Sequence, residues 1–452
     1  MLHSLFGVVA ALACVLPLAA QAQSNQPVAF VNVTVIPMSR EGSVAGQTVV
    51  VRDGRIAEVG PAGRVRVPEG ATRIEAAGKF LIPGLAEMHA HVPPGSQVSD
   101  AEIARVLELY AVNGVTTIRS MLGHPRHLAF RDRAARGEIL SPRIWTSGPS
   151  FRGQSVPSPD SAARMVRAEK AMGYDFLKIH PGVSRAAFDS LAMVADQLGI
   201  RFAGHVPAAV GLHRALEARY WSIDHIDGFV EALARDGAPQ QTGFFGTGLM
   251  GHLDESRIPG LVASHKAAGV WVVPTSYFLE AMVGTDAVDE LAARPDMRYV
   301  QAAMVENWKT STNNFRSSPG STPESRQAFI ALRRRILKAL HDGGVGIILG
   351  SDSPQLWNAP GFSVTRELQS YVASGLTPWH ALATGTLNVA AFLGNSAEAG
   401  TIEAGKRADL ILLDADPLQS IANLDRKTGV MLGGRWIPRE EIDRRLTALA
   451  VR

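Results

Sequence analysis

Short apolar runs alternate with longer helix-like stretches through the middle of this chain, and that alternation constrains the fold more than any other feature. The runs are Val115-Thr-Thr-Ile-Arg-Ser120, Phe176-Leu-Lys-Ile-His180, Ile200-Arg-Phe-Ala-Gly-His205, Val270-Trp-Val-Val-Pro-Thr275 and Val345-Gly-Ile-Ile-Leu-Gly-Ser-Asp352. Strand followed by helix, repeated, builds a parallel α/β sheet. A (β/α)8 TIM barrel fits the repeats best, and 452 residues accommodate a barrel of about 250 residues with a smaller module beside it.

Both chain ends are expected to supply that module. Ala29-Phe-Val-Asn-Val-Thr-Val-Ile36, Gln47-Thr-Val-Val-Val-Arg52 and Arg55-Ile-Ala-Glu-Val59 are β-rich, and Asp53-Gly54 between two of them is a hairpin signal. Gly400 to Leu413 and Val430-Met-Leu-Gly-Gly-Arg-Trp-Ile437 have the same character. The expected division is residues 23–82 and 396–452 as two parts of one β-sandwich, with residues 83–395 as the barrel. The stretch Tyr277 to Leu340 is too long for an ordinary connection and is expected to form an extended, lid-like loop with helical patterns such as Arg298 to Trp308.

The chain opens on an apolar run, Met1 to Leu18, that ends in Ala20-Gln-Ala22, a small-x-small cleavage signal before Gln23. Residues 1–22 therefore read as a secretory signal peptide, which places the mature chain in the periplasm or outside the cell. The run lacks Lys and Arg at its start, so an uncleaved anchor is the main alternative. A lipoprotein reading of Ala11-Leu-Ala-Cys14 is another, set against by the apolar residues that continue past Cys14. Cys14 is the single cysteine, so a mature chain would form no disulfide. No later segment is apolar enough to span a membrane. Forty-five Lys and Arg stand against 42 Asp and Glu with no basic block, which does not suggest nucleic acid as a partner. A small-molecule substrate is expected, and a homo-oligomer stays open.

His89 and His91 close the run Leu81-Ile-Pro-Gly-Leu-Ala-Glu-Met-His-Ala-His91, and strand alternation puts both imidazoles on one face, a metal-ligand geometry. In a barrel, polar residues at the carboxyl ends of strands face the active site. That rule adds Lys178, His205, His225 in Ser222-Ile-Asp-His-Ile-Asp-Gly228, and Asp352. Each has an ordinary explanation alone: a histidine satisfied by backbone, a lysine reaching the surface, an aspartate capping the next helix. Six in order, each at a strand end, point to one site.

With the Pro-Gly-Leu lead into His-x-His, Phe176-Leu-Lys-Ile, Ala203-Gly-His-Val206, Ser-Ile-Asp-His, Gly350-Ser-Asp352 and the terminal Ile402-Glu-Ala-Gly-Lys-Arg-Ala-Asp-Leu-Ile-Leu-Leu413, the chain resembles the amidohydrolase superfamily. Within it the likeness is to the branch of imidazolonepropionase-like and prolidase-like metallohydrolases, and it covers nearly the whole mature chain. The resemblance implies that His89, His91 and Asp352 hold one divalent metal and that His205 and His225 hold a second. Lys178, carboxylated by CO2, would bridge the two, because a carbamate is an anionic oxygen donor where an ammonium would repel cations. A water between the metals would be the nucleophile, with Asp352 accepting its proton. Zinc is the default for these donors, with manganese or another divalent ion as alternatives.

The implied activity is hydrolysis of amide or peptide C–N bonds in small substrates such as dipeptides or N-acyl amino acids. Alternatives are a cyclic-amide or imidazolone-type hydrolase, a lactonase or esterase, and, from another class, a catalytically silent metal-binding scaffold. Arg119, Arg152 and Tyr277 follow or lie near barrel strands and are candidates for holding a substrate carboxylate, against the ordinary reading of surface salt bridges. His180, two residues past Lys178, is a candidate to support the metal site or contact substrate, against a packing role. Gly246-Thr-Gly-Leu-Met-Gly251 matches a dinucleotide fingerprint but lacks the strand before it, the long helix after it and the acidic residue beyond, so it reads as a mobile loop at the barrel mouth. No G-x-S-x-G elbow occurs, which leaves a serine hydrolase of the α/β type without a nucleophile. His213, His252, His265, His341 and His380 carry no functional assignment.

Overall fold

The computed structural model describes residues 26–451; the expected leader and Cys14 lie outside the described residues. Strands β1 (Val28–Val35), β2 (Val44–Arg52), β3 (Arg55–Pro61), β4 (Thr72–Glu75) and β5 (Phe80–Pro83) come from the first part of the chain. Asp53 and Gly54 both take left-handed dihedrals between β2 and β3, the type I′ geometry whose twist matches the strands it joins.

The middle of the chain supplies β6 (Leu85–Ala90), β7 (Val115–Ser120), β8 (Arg143–Thr146), β9 (Leu177–Ile179), β10 (Phe202–Gly204), β11 (Ser222–Asp224) and β12 (Trp271–Val273). The last part adds β13 (Leu410–Leu413), β14 (Lys427–Leu432) and β15 (Arg435–Pro438).

The two ends do share one element. A single hydrogen-bonded sheet runs β15-β14-β13-β5-β1-β2-β3, with β4 beside β1. Its seam is the antiparallel pair β5 and β13, in which Phe80 faces Leu413 and Pro83 faces Leu410. Phe30, Val33, Val49, Ile56, Leu81, Ile402, Leu410, Leu412 and Met431 form its buried cluster, and the Trp436 ring meets Phe30 edge-on at 5.2 Å.

The middle strands pair in parallel in the orders β6-β7-β8 and β9-β10-β11-β12, with helices between them, so the molecule has the mixed α/β build of a TIM-barrel-type fold. Parallel bridges Ser147 to Phe176 and Phe151 to Ile179 connect β8 with β9. The run Val345 to Asp352 carries single bridges rather than a full strand: Ile347 pairs with Val272, Ser353 pairs with Ala90, and Met88 N donates to Leu349 O at 2.8 Å. The parallel strands share an apolar layer of Met88, Met121, Phe176, Trp221, Ile348 and Phe392, with Trp221 stacked on Phe392 at 4.1 Å.

The stretch expected as a loop from Tyr277 to Leu340 is helical through most of its length: Ser276–Val283, Val288–Ala293, Ala302–Arg316 and Pro323–Asp342. Its length is explained by packing. Val305 and Trp308 join a buried cluster with Trp357, whose indole N–H donates to Thr312 Oγ1 at 3.0 Å. No helix among the described residues is long and apolar enough to cross a membrane.

Candidate metal centre

The carboxyl ends of the parallel strands bring His89, His91, Lys178, His205, His225 and Asp352 into one cluster. The His89 ring lies 5.3 Å from His91 and 4.6 Å from His225, and His225 lies 4.4 Å from His205. Asp352 Oδ1 stands 2.6 Å from His91 Nε2 and 3.4 Å from His89 Nε2. Ligand atoms of His89, His225 and Asp352 all fall within 4.8 Å of one another. His91, whose Nε2 meets Asp352, and His205, stacked on His225, border this trio.

Local backbone places these side chains by breaking strand regularity. His225, Ile226, Thr275 and Asp352 all have positive φ, at 63°, 56°, 45° and 65°. Such conformations cost of order 1–3 kcal/mol each and persist where surrounding packing over-determines them, most often at functional sites. The turn at His225 lets it follow Asp224 directly while both stay buried at the site. Gly204 makes room for the lysine: a Cβ there would come within 2.9 Å of Lys178 Cδ and 2.4 Å of Ile179 O.

Each of three histidines has an acceptor behind it. His205 Nδ1 is 2.7 Å from Asp227 Oδ2, and His89 Nδ1 faces Asp224 Oδ2 at 3.1 Å. The Thr275 hydroxyl donates to Pro274 O at 2.8 Å, so it accepts from His225 Nδ1 at 2.7 Å. These contacts hold the proton on Nδ1 and turn the Nε2 lone pairs toward the cluster, the arrangement of metal-binding histidines with supporting acceptors. Burial, aided by Lys178 and the neighbouring imidazoles, keeps His89 well below the usual histidine range, and burial with His205 and His89 does the same for His225. Both are neutral donors at pH 7.

Asp224, Asp227 and Thr275 were not singled out by the sequence reading. Asp224 is fully buried, with Oδ1 accepting from Arg119 and from Ser222 Oγ at 2.8 Å and Oδ2 standing 3.6 Å from Lys178 Nζ. Burial alone would raise its pKa, but Arg119 and Lys178 hold it below the usual carboxylate range. The signal for it was present one residue before His225. Glu87 is a second unsuspected member: it accepts from His89 N at 2.9 Å, Ser351 N at 2.8 Å and Ser351 Oγ at 2.6 Å, clamping β6 to the loop that carries Asp352. Burial pushes its carboxyl up to about 7.

The residues suit a divalent metal. His91 Nε2, Lys178 Nζ, His225 Nε2 and Asp352 Oδ1 are buried polar atoms without a hydrogen-bond partner. Orphaned groups of this kind cost about 1–3 kcal/mol each. Four together, of the nitrogen and oxygen types that bind metals, make a candidate site for a divalent cation.

The expected carboxylate partners lie elsewhere. Arg119 is fully buried below the cluster, its Nε donating to Met88 O at 2.7 Å and its guanidinium among Phe176, Trp221 and Phe392. A charge sealed there is tied to Asp224 and cannot meet a ligand at the mouth. The Tyr277 hydroxyl is held by Arg294, and its backbone N–H donates to Glu367 at 2.8 Å. Arg152 is exposed. His180 does reach the site, its ring 5.0 Å from His205, and burial lowers its pKa to about 2.

The amidohydrolase family model matches residues 80–437. Imidazolonepropionase of Micrococcus luteus is 27% identical over 392 residues, covering 81% of this chain and 87% of that enzyme. Adenine deaminase of Paracoccus denitrificans is 40% identical over 143 residues, which is 29% of this chain and only 22% of that enzyme's length. Among solved structures, bottromycin amidohydrolase superposes with a TM-score of 0.71 at 24% identity, covering 94% of this chain and 90% of the other. A candidate prolidase from Bifidobacterium longum gives 0.66 at 24% identity, over 94% of this chain and 99% of that one. These two likenesses concern the fold.

Proposed function

The chain belongs to the amidohydrolase family, is a hydrolase of C–N bonds, and from that premise we propose that it is an exported, metal-dependent amidase acting on small substrates such as dipeptides or N-acyl amino acids. The observation that carries the reading is the buried set of orphaned ligand atoms on His91, Lys178, His225 and Asp352, beside His89, at the strand ends where a barrel carries its chemistry. We read the two parallel sheets and the run Val345 to Asp352 as one eight-membered (β/α)8 barrel, which the four connecting bridges support.

His89, His91, His205, His225 and Asp352 would hold two divalent ions, zinc by default, with Lys178 between them as a carbamate. Carbamate formation joins Lys178 Nζ to the carbon of CO2 and releases a proton. Divalent ions held by these donors supply Lewis acidity, which acidifies water and polarises a carbonyl. Asp352, the carboxylate that reaches both His89 and His91, is the group to take the proton from the attacking water and return it to the leaving amine. Asp224, Asp227 and Thr275 orient the imidazoles so that none must reorganise as charge develops. Met1–Ala22 would be removed on export, leaving a periplasmic or secreted chain that begins at Gln23.

Opening of a cyclic amide is the second reading, favoured by the nearly full-length match to imidazolonepropionase. Elemental analysis and a screen of dipeptides, N-acyl amino acids, cyclic amides and lactones decide between them. Chelation should abolish hydrolysis and added zinc restore it, and Lys178→Met should lose both turnover and bound metal. Hydrolysis indifferent to chelator, or a Lys178→Met protein with unchanged metal content and rate, overturns the proposal.

A further inference from the structure

The glycine-rich segment read as a mobile loop carries a residue that the family assignment leaves unused. Phe244–Leu249 forms a 3-10 turn in which Phe245 has φ 51° and ψ 34°. A bulky non-glycine residue in the left-handed region is uncommon and costs about 1–3 kcal/mol, so something must hold it there. Gly246 does so from one side: it is buried against the helix Phe229–Ala232, and a Cβ on it would come within 2.6 Å of Val230 Cγ1. From the other, Gly248 N donates to Thr242 O at 2.8 Å and the Phe244 ring packs 5.7 Å from Phe315 of the helix Ala302–Arg316.

The strained backbone delivers the Phe245 ring to the metal-site histidines. Its centroid lies 5.3 Å from His225 and 6.3 Å from His205. Phe278 stands beside it at 5.8 Å and is itself 5.8 Å from His225. Phe278 is sealed, whereas Phe245 stays partly exposed. Two rings thus make an apolar face next to the histidines. Of the groups expected to grip a carboxylate, Arg119 is committed to Asp224 and Tyr277 to Arg294, and Arg152 stays exposed.

We propose that Phe245, backed by Phe278, is the specificity-determining wall of the site, and that the substrate presents an aromatic or branched apolar group to it, adjacent to the scissile amide. Resting on the amidase reading above, the inference names the substrate class: amides of hydrophobic amino acids rather than of acidic ones. Burial of a benzyl or isobutyl group between the wall and the mouth removes apolar area from water, and the ring faces add edge-to-face contact. An acidic side chain pressed against these two rings would lose hydration without gaining a hydrogen bond from them.

The test is equilibrium binding by calorimetry to zinc-loaded protein carrying Asp352→Asn, so that affinity is read without turnover. N-acetylphenylalanine amide, N-acetylleucine amide, N-acetylalanine amide and N-acetylaspartate amide are the probes. The aromatic and leucine amides should bind about tenfold or more tighter than the alanine amide, within the range a hydrophobic pocket achieves, and the aspartate amide weakest. Adding Phe245→Ala should erase the preference and Phe245→Leu restore part of it, with zinc content the same in all three proteins. Equal binding of phenylalanine and alanine amides, tightest binding of the aspartate amide, or a preference untouched by Phe245→Ala overturns the wall. If the preference holds but the parent protein hydrolyses none of these amides, the amidase reading fails while the wall stands.

Discussion

In the sheet built from both chain ends, Val49, Leu81, Leu410 and Leu412 are buried apolar side chains, and Thr48 Oγ1 is the single buried side-chain nitrogen or oxygen of its strands, among the described residues, that lacks a hydrogen bond. At the mouth formed by the carboxyl ends of the parallel strands, equally buried positions hold His89, Lys178, Asp224, His225 and Asp352, with orphaned atoms on Lys178, His225 and Asp352. The sheet follows the rule that buries apolar surface and pairs backbone in ladders. The mouth breaks that rule and adds left-handed backbone at His225, Ile226, Thr275 and Asp352. Stability made in the first region sustains the unfavourable arrangement in the second, as expected where strain and desolvated charge belong to function.

The largest break in this comparison comes from the mouth. Asp352→Asn should reduce turnover by about 10² or more while leaving thermal stability equal or higher, since an amide relieves a buried charge. Turnover and melting temperature falling together would mean that Asp352 serves the fold as the sheet residues do. Leu412→Ala should act the other way, costing about 2–5 kcal/mol in denaturant unfolding with kcat per folded molecule unchanged. A fall in kcat with intact stability would show that the sheet participates in the chemistry.

Thr275→Val sharpens the contrast inside the mouth. It keeps the shape but removes the acceptor behind His225 Nδ1, so metal affinity should fall about 10–100-fold, measured by competition with a chromophoric chelator. Unchanged affinity would make the Thr275 contact incidental.

An effect on stability alone lies outside both regions, at Glu169 in the helix Pro159–Met172, a buried carboxyl with neither oxygen hydrogen-bonded. Burial pushes it up to about 9 from an ordinary 4.5, against a weaker opposing contact with the Gly148 backbone. Below 4.5 both states are protonated; above it the unfolded chain ionises while the folded one does not, so stability falls as pH rises toward 9. Glu169→Gln should flatten that slope in unfolding measured at pH 5, 7 and 9. A slope identical to that of the parent protein would show that Glu169 ionises in the folded state with a partner.

Much of the site was legible because strand ends recur: His89, His91, Lys178, His205, His225 and Asp352 could be picked out as polar residues closing apolar runs, and they do converge. Arg119 shows where that logic stops. It closes a run in the same way, yet the rings of Phe176, Trp221 and Phe392 enclose it below the mouth, and linear spacing does not tell one depth in a barrel from another. Asp224 and Asp227 escaped because left-handed backbone at His225 and Ile226 suspends the alternation by which faces are assigned. The Tyr277 to Leu340 stretch betrayed its helical pattern but not its purpose, since the fit of Trp308 against Trp357 joins residues far apart in the chain.

The order of elements, the joining of the two chain ends, the donor types of the metal cluster and the family all follow from the chain read as text, because they depend on periodicity and on residue chemistry at strand ends. Tertiary structure alone decided that β5 and β13 form the seam of one continuous sheet and that Arg119 serves Asp224 rather than a ligand. It also decided that Asp224, Asp227 and Thr275 stand behind the histidines and that Phe245 turns its ring onto them. The reason is physical: which groups meet depends on strand depth, on φ at a few residues and on loops packing from distant segments, and those quantities are set by the whole fold at once.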